Sequence, residues 1–155
     1  MKRIITILLI LSLGLNLFFI YNKFFKENTI ENTPKDNRKE AYISEEGRNA
    51  VLSEMRTFLE SIQKINQGIN ENNPQLIIEA GTNSGKEVSK RVPKGTSKNL
   101  PQEFKQLGGA THALFDKMAL SAKENFNKDT LKMQLSEQLG NCTACHRMFK
   151  FVVKK

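Results

Sequence analysis

The chain has 155 residues, enough for one domain of ordinary size with a tail or an anchor and too few for two such domains. Its 24 Lys and Arg residues outnumber its 16 Asp and Glu residues, and the formal net charge of +8 would suit an acidic partner such as nucleic acid. Apolar residues (39%), charged residues (26%) and only two cysteines exclude a disordered polyelectrolyte, a protein with several membrane spans and a disulfide-dense scaffold.

A long apolar segment lies near the amino terminus. Lys2 and Arg3 precede a run from Ile4 to Tyr21 that is interrupted by only four polar or small residues. Such a run can cross the ~30 Å hydrocarbon core of a bilayer as a helix. No small-residue cleavage pattern follows it, so residues 1–26 are predicted to be an uncleaved signal anchor in preference to a cleaved signal peptide. The basic residues favour a cytoplasmic amino terminus.

A polar segment separates this anchor from the rest of the chain. Residues 27–43 are rich in Glu, Asn, Thr, Pro, Lys and Asp without periodicity, which predicts a tether, and the folded domain is expected over residues 44–155. Residues 1–26 contain four basic residues and no acid, so the remainder has a net charge of only +4. This modest charge could steer an acidic redox partner, and it requires no nucleic acid.

Helical periodicity dominates the domain, and no alternating strand pattern is found. The first helix is predicted to begin at Ser44, whose hydroxyl suits a helix cap. The second, over Pro74–Val92, is the weakest because glycines interrupt it. The third covers Gln102–Asn125, and the fourth begins at Lys128 and continues its apolar stripe to Val153. The predicted fold is all-α: an antiparallel four-helix bundle behind an N-terminal transmembrane helix.

The most specific motif is Cys142-Thr143-Ala144-Cys145-His146. The pattern C-x-x-C-H is the attachment sequence of c-type haem, in which both thiols form thioethers and the imidazole ligates the iron from the proximal side. On a helix the three side chains lie within about one turn, and His146 follows the apolar stripe into the bundle. We therefore expect one covalently bound haem c, on the periplasmic side of a bacterial inner membrane or free in the periplasm after cleavage.

Three other interpretations of the motif remain open, and one is that the cysteines stand there by accident, although this order of two cysteines and a histidine is hard to obtain by chance. A dithiol oxidoreductase normally has its C-x-x-C at the start of a helix that follows a strand, whereas this motif lies late in a helix. A zinc site would need a fourth ligand, for which His112 is the only other histidine. His112 is predicted on the flank of its helix, so no second histidine is expected in the core. No catalytic constellation is found, and a binding and redox protein rather than an enzyme is predicted.

The sequence resembles the cytochrome c′ family, whose members are up-down four-helix bundles. Three features carry the resemblance over about residues 44–152. The haem motif lies in the last helix, within Leu139–Lys150; the first helix opens with Arg48-Asn49-Ala50-Val51-Leu52-Ser53-Glu54-Met55; and Phe104 follows Leu100-Pro101-Gln102-Glu103. The resemblance implies haem on Cys142 and Cys145, His146 as proximal ligand, and a homodimer.

The resemblance also implies roles for three residues of the haem pocket. Arg48 would lie near a haem propionate, Leu52 would occupy the distal face, and Lys150 would lie near the proximal haem edge. Because Leu52 cannot ligate iron, the sixth coordination position would stay vacant. Such a pocket would admit nitric oxide or carbon monoxide and offer no hydrogen-bond donor to dioxygen.

Met55 supports an alternative function. It lies nearer the centre of the apolar stripe than Leu52 and could be the sixth iron ligand. A thioether ligand raises the reduction potential and excludes gas binding, which suits a low-spin electron carrier in a respiratory chain.

Overall fold

The computed structural model describes residues 2–24 and 35–154, which belong to two separate compact units, Met1–Asp36 and Asn37–Lys155. Helix α1 of the first unit covers Lys2–Phe24. Its large apolar side chains from Ile4 to Tyr21 are exposed. The 21 residues Arg3–Lys23 are long and apolar enough to cross a membrane, since they rise about 31 Å as a helix. A signal sequence has the same properties.

The second unit is mostly helical, so the all-α class is confirmed: helices make up 74% of the structure. Its α-helices are α2 (Glu45–Glu71), α3 (Pro74–Thr82), α4 (Gln102–Glu124) and α5 (Lys128–Met148), with one turn of 3₁₀ helix at Val88–Arg91. The predicted cap of α2 is confirmed, since the Ser44 hydroxyl accepts a hydrogen bond from the amide of Gly47 at 3.1 Å.

The helices pack around one main core. Helix α3 contacts α2 and α4, and α5 contacts α4 and α2. Each of the four contributes fully buried side chains, among them Ile65, Ile77, Phe115 and Leu131. Gly81 allows α3 to approach α4 closely, because a Cβ at this position would lie 2.7 Å from the carbonyl oxygen of Phe115.

Two short strands, β1 (Lys39–Ile43) and β2 (Phe149–Val153), form a parallel pair. Ala41 and Ile43 of β1 are buried in a second apolar cluster with Val51 and Leu100. The guanidinium of Arg38 donates to the backbone carbonyls of His146 and Phe149 at 3.1 and 3.2 Å. The strand that enters the unit is thus fastened to the end of α5.

These strands overturn the expectation that the domain has no strand. Strand β1 lies within the predicted tether, whose residues 27–34 are outside the described residues. It has only two buried residues, and its partner strand is far away in the chain, so local periodicity could not reveal it. The predicted extension of the last helix to Val153 is also wrong, because the aromatic and β-branched run after Met148 continues as β2.

The second predicted helix is shorter than expected. Helix α3 ends at Thr82, and turns with one 3₁₀ segment replace the predicted helix up to Val92. The glycines and small polar residues that made this helix the weakest prediction are the physical reason for its early end. The resulting segment between α3 and α4 is irregular, and its residues are available to line a site.

Candidate functional site

One cavity of the second unit brings the cysteine motif together with residues distant from it in the chain. Its volume is about 760 Å³, within the roughly 300–1,000 Å³ range of small-molecule and cofactor sites. Its walls are mainly apolar and come from α2, α4, α5 and the segment 89–100. The cavity therefore has the size and character that a cofactor requires.

The three residues of the motif all line this cavity. Cys142, Cys145 and His146 lie in the last two turns of α5, and at 100° per residue they span a sector of about 100° of the helix. Both thiols are free and half-buried. His146 was expected to point into the bundle and is instead exposed at the cavity, because the buried face of α5 consists of Leu131, Gln134, Leu135 and Gln138. A single molecule in the cavity can therefore reach both sulfurs and the imidazole.

The two thiols have a higher proton affinity than an ordinary cysteine. Burial raises the pKa of Cys142, although a backbone hydrogen bond partly offsets it. Burial also raises the pKa of Cys145, and the neighbouring Cys142 raises it further. Reactive dithiols depend on a lowered pKa that yields a thiolate at neutral pH. Burial therefore does not provide the activation that a reactive dithiol requires.

Helix α2 presents an apolar face to the cavity. Val51, Met55 and Phe58 line it at steps of four and three residues. Leu52 is half-buried and is not among the lining residues, because it is turned about 100° from Val51. The structure therefore places the thioether of Met55, and not the side chain of Leu52, on the cavity wall.

The two basic residues implied by the family resemblance lie away from the cavity. Arg48 is exposed and is not among the lining residues. The helical position predicted for Lys150 is wrong, since this residue lies in β2 with its Nζ 3.7 Å from Oε1 of Glu40. Lys90, Lys94 and Lys105 do line the cavity, and Lys90 is paired with Glu87 at 2.6 Å, so Lys94 and Lys105 are better placed to meet an anionic group there.

The structure also places a buried histidine on the cavity wall, contrary to the expectation of none in the core. His112 of α4 is only 7% exposed. Its Nδ1 lies 2.8 Å from the carbonyl oxygen of Ser84, and its ring meets Phe58 edge to face with centroids 5.1 Å apart. The sequence does contain a signal for this position. His112 belongs to a row of residues spaced by four, three and four positions on one helix face, which becomes visible when glycine and alanine are counted as core residues: Gly108, His112, Phe115 and Ala119.

Glu54 of α2 is the second polar residue that sequence reasoning missed. Its Oε1 lies 3.5 Å from Nε2 of His112, and both residues line the cavity. Burial raises the pKa of the Glu54 carboxyl group, and the charge that His112 can carry lowers it. We call these two residues the Glu54–His112 couple. Polar contacts continue into the core, where the Ser84 hydroxyl donates to the Ser61 hydroxyl at 2.9 Å.

Helix α4 has a flat face next to the cavity. Gly108 and Gly109 both line it, and a Cβ built on either would have no atom within 4 Å. Each glycine inside a helix costs about 1 kcal/mol relative to alanine, so neither is explained by helix stability. The two glycines therefore leave open space along the cavity wall formed by α4.

No three His, Cys, Asp or Glu side chains among residues 2–24 and 35–154 come close enough to hold a bare metal ion, so the zinc interpretation gains no support. Iron in a porphyrin already has four nitrogen ligands, and one or two side chains complete its coordination. Comparison of the chain with protein-family models, curated proteins and solved structures finds no match. The function must therefore be inferred from the geometry of the cavity.

Proposed function

We propose that this protein is a membrane-anchored c-type cytochrome with one haem c, bound through thioethers at Cys142 and Cys145 and ligated at the iron by His146. The observation that carries the proposal is the presence of all three residues on one mainly apolar cavity of about 760 Å³. The protein then acts as a haem-binding redox protein rather than an enzyme. Its redox partner would be an acidic protein.

The residues around the cavity fit this group in three ways. Both half-buried thiols line the cavity, where each would form a thioether by bonding its sulfur to one vinyl carbon while a proton is added to the other. The glycine face of α4 leaves room for the macrocycle, and Lys94 and Lys105 can pair with its carboxylates. When bound, haem supplies one-electron redox chemistry and an axial position for a small ligand.

The arrangement of the chain extends the proposal to fold and location. Contacts among α2, α3, α4 and α5, with the motif on the last helix, support an antiparallel four-helix bundle of the cytochrome c′ type. The apolar length of α1 supports an anchor that holds the domain on the periplasmic side of a bacterial inner membrane.

Pyridine haemochrome analysis of the purified full-length protein tests the proposal. We expect about one haem per chain, with the band position of two saturated thioethers, and loss of covalent haem in Cys142→Ser/Cys145→Ser. Thr143→Ala is the matched control, because this exposed residue lies between the cysteines and does not line the cavity. A protein that is exported and folded, yet carries no haem, would contradict the proposal and leave the dithiol function.

The sixth position of the iron separates two functions. A vacant position would bind nitric oxide or carbon monoxide, as the resemblance through Leu52 implies. The position of Met55 on the cavity wall supports a second candidate function, a six-coordinate electron carrier. For that second function, the ferric sulfur-to-iron charge-transfer band should disappear in Met55→Leu and persist in Leu52→Ala. A high-spin spectrum that both variants leave unchanged would support the vacant site.

A further inference from the structure

The Glu54–His112 couple is a polar feature in an otherwise apolar part of the cavity wall. Burying a charged or polar group costs free energy unless a partner satisfies it. His112 is 7% exposed and its ring is fixed on one side by Phe58, so it is held in one orientation. The fold thus keeps a buried, rigid imidazole on the wall of the cavity that the cysteine motif of α5 also lines, although its burial is unfavourable without partners.

Hydrogen-bond accounting assigns the protons of this imidazole. A backbone carbonyl can only accept, so Nδ1 carries the hydrogen that points to Ser84 at 2.8 Å. Nε2 then faces Oε1 of Glu54. A lone pair opposite a carboxylate would be repulsive, and a proton between Nε2 and Glu54 removes this repulsion. Because both ring nitrogens of His112 face oxygen acceptors, the geometry places a proton on each of them, with Nε2–H directed at Glu54.

The distance within the couple leaves that proton available. A charge-assisted N–H···O bond normally closes to about 2.7–2.9 Å, whereas Nε2 and Oε1 are 3.5 Å apart. The N–H is therefore not fully used by the carboxylate. A ligand atom with a lone pair can share it, while Glu54 keeps the charge of the imidazole balanced.

We propose that His112, held by Glu54 and Ser84, donates a hydrogen bond to small anions of weak acids that bind in this cavity. These anions bind well only where a proton donor faces them, whereas carbon monoxide gains much less from a donor. The proposal rests on the haem-based function above in the form whose sixth iron position is vacant. It replaces the expected donor-free pocket with one that selects ligands by their capacity to accept a hydrogen bond.

The experiment uses the full-length holoprotein and begins with its haem content. Sodium fluoride is then titrated into the ferric form and followed by absorption, and the C–O stretch of the ferrous carbon monoxide adduct is measured by infrared spectroscopy. In His112→Leu we expect fluoride affinity to fall about tenfold or more and the C–O stretch to move to higher wavenumber. Affinity for carbon monoxide should change little.

Further variants keep the test informative if His112→Leu folds poorly. His112→Gln retains an N–H donor and should recover part of the fluoride affinity, and Glu54→Gln should weaken binding by removing the balancing charge. Leu120→Ala is the control on the same helix, since Leu120 is exposed and does not line the cavity. We expect this control to match the unmodified protein in both measurements.

Each contrary outcome has a separate meaning. Absence of haem overturns the proposed function together with this inference. Haem with fluoride affinity unchanged in all three couple variants overturns the inference alone, as does a holoprotein that binds no fluoride. A low-spin ferric spectrum that becomes high-spin in His112→Gln would make His112 an iron ligand, which also excludes its role as a donor.

Discussion

The cavity has two walls that carry a histidine, and they are built in different ways. On α5, His146 and both cysteines lie within five consecutive residues, and helical geometry alone turns them to one side. On α4, His112 depends on Ser84 from the segment after α3 and on Glu54 from α2. The first wall can be recognised in the sequence, whereas the second exists only when three separate parts of the chain pack together.

Substituting each histidine in turn is the strongest test of this difference. His146→Ala should lower the yield of holoprotein by about tenfold or more, because it removes the proposed iron ligand. His112→Ala should leave covalent haem attached and change only ligand binding. The measurement is haem per chain after purification. Equal loss of haem in the two variants would show that both walls hold the group in the same way.

The open face of α4 gives the next largest expected effect. Gly108→Leu should reduce haem content severalfold, because the new side chain would occupy cavity space next to α4. The haem-free chain should become more stable by up to about 1 kcal/mol through helix propensity. The first effect is measured as haem per chain, and the second by thermal unfolding of the haem-free chain.

Gly140→Leu is the matched control for this prediction. Gly140 is an exposed glycine of α5 that also has open space at its Cβ, but it does not line the cavity. It should give the same gain in stability with no loss of haem. A normal haem content in Gly108→Leu would mean that the face of α4 is not part of the binding site.

The burial of Glu54 predicts a smaller effect that depends on pH. Because its pKa is raised from 4.5, the folded chain holds this proton more tightly than the unfolded chain does. Its contribution to stability is present below about pH 4.5 and is lost as pH rises through the raised pKa. In haem-free Cys142→Ala/Cys145→Ala, Glu54→Gln should therefore increase the melting temperature more at pH 8 than at pH 4. Glu60→Gln, an exposed control on α2, should show no such difference.

Arg38 gives the smallest expected effect, and it concerns the wall of α5. Arg38→Gln should lower the free energy of unfolding by about 1 kcal/mol, because the hydrogen bonds to the carbonyls of His146 and Phe149 are weakened. Hydrogen exchange of the β2 amides should become faster, with exposed Arg56→Gln as the control. Unchanged exchange would show that the end of α5 needs no support from the residues before β1.

Features that depend on nearby residues could be predicted from the sequence. The Ser44 cap, the starts of α2, α4 and α5, and the common face of the cysteine motif all follow from spacing within one helix. Features that depend on distant partners could not. Ala41 and Ile43 are buried by β2 together with Val51 and Leu100. His112 is a core residue because Ser84, Glu54 and Phe58, all from other elements, pack around it.

The parallel strand pair has a consequence for the order of folding. Pairing Lys39 with Phe149 closes a loop of roughly 110 residues, which in an unfolded chain would cost on the order of 4 kcal/mol of entropy. Once the helices have formed, the same two segments are already close and this cost largely disappears. The sheet should therefore form after the helices. Until it does, the end of α5 lacks its contact with β1, so the proposed haem attachment at Cys142 and Cys145 would be easiest before the strands pair.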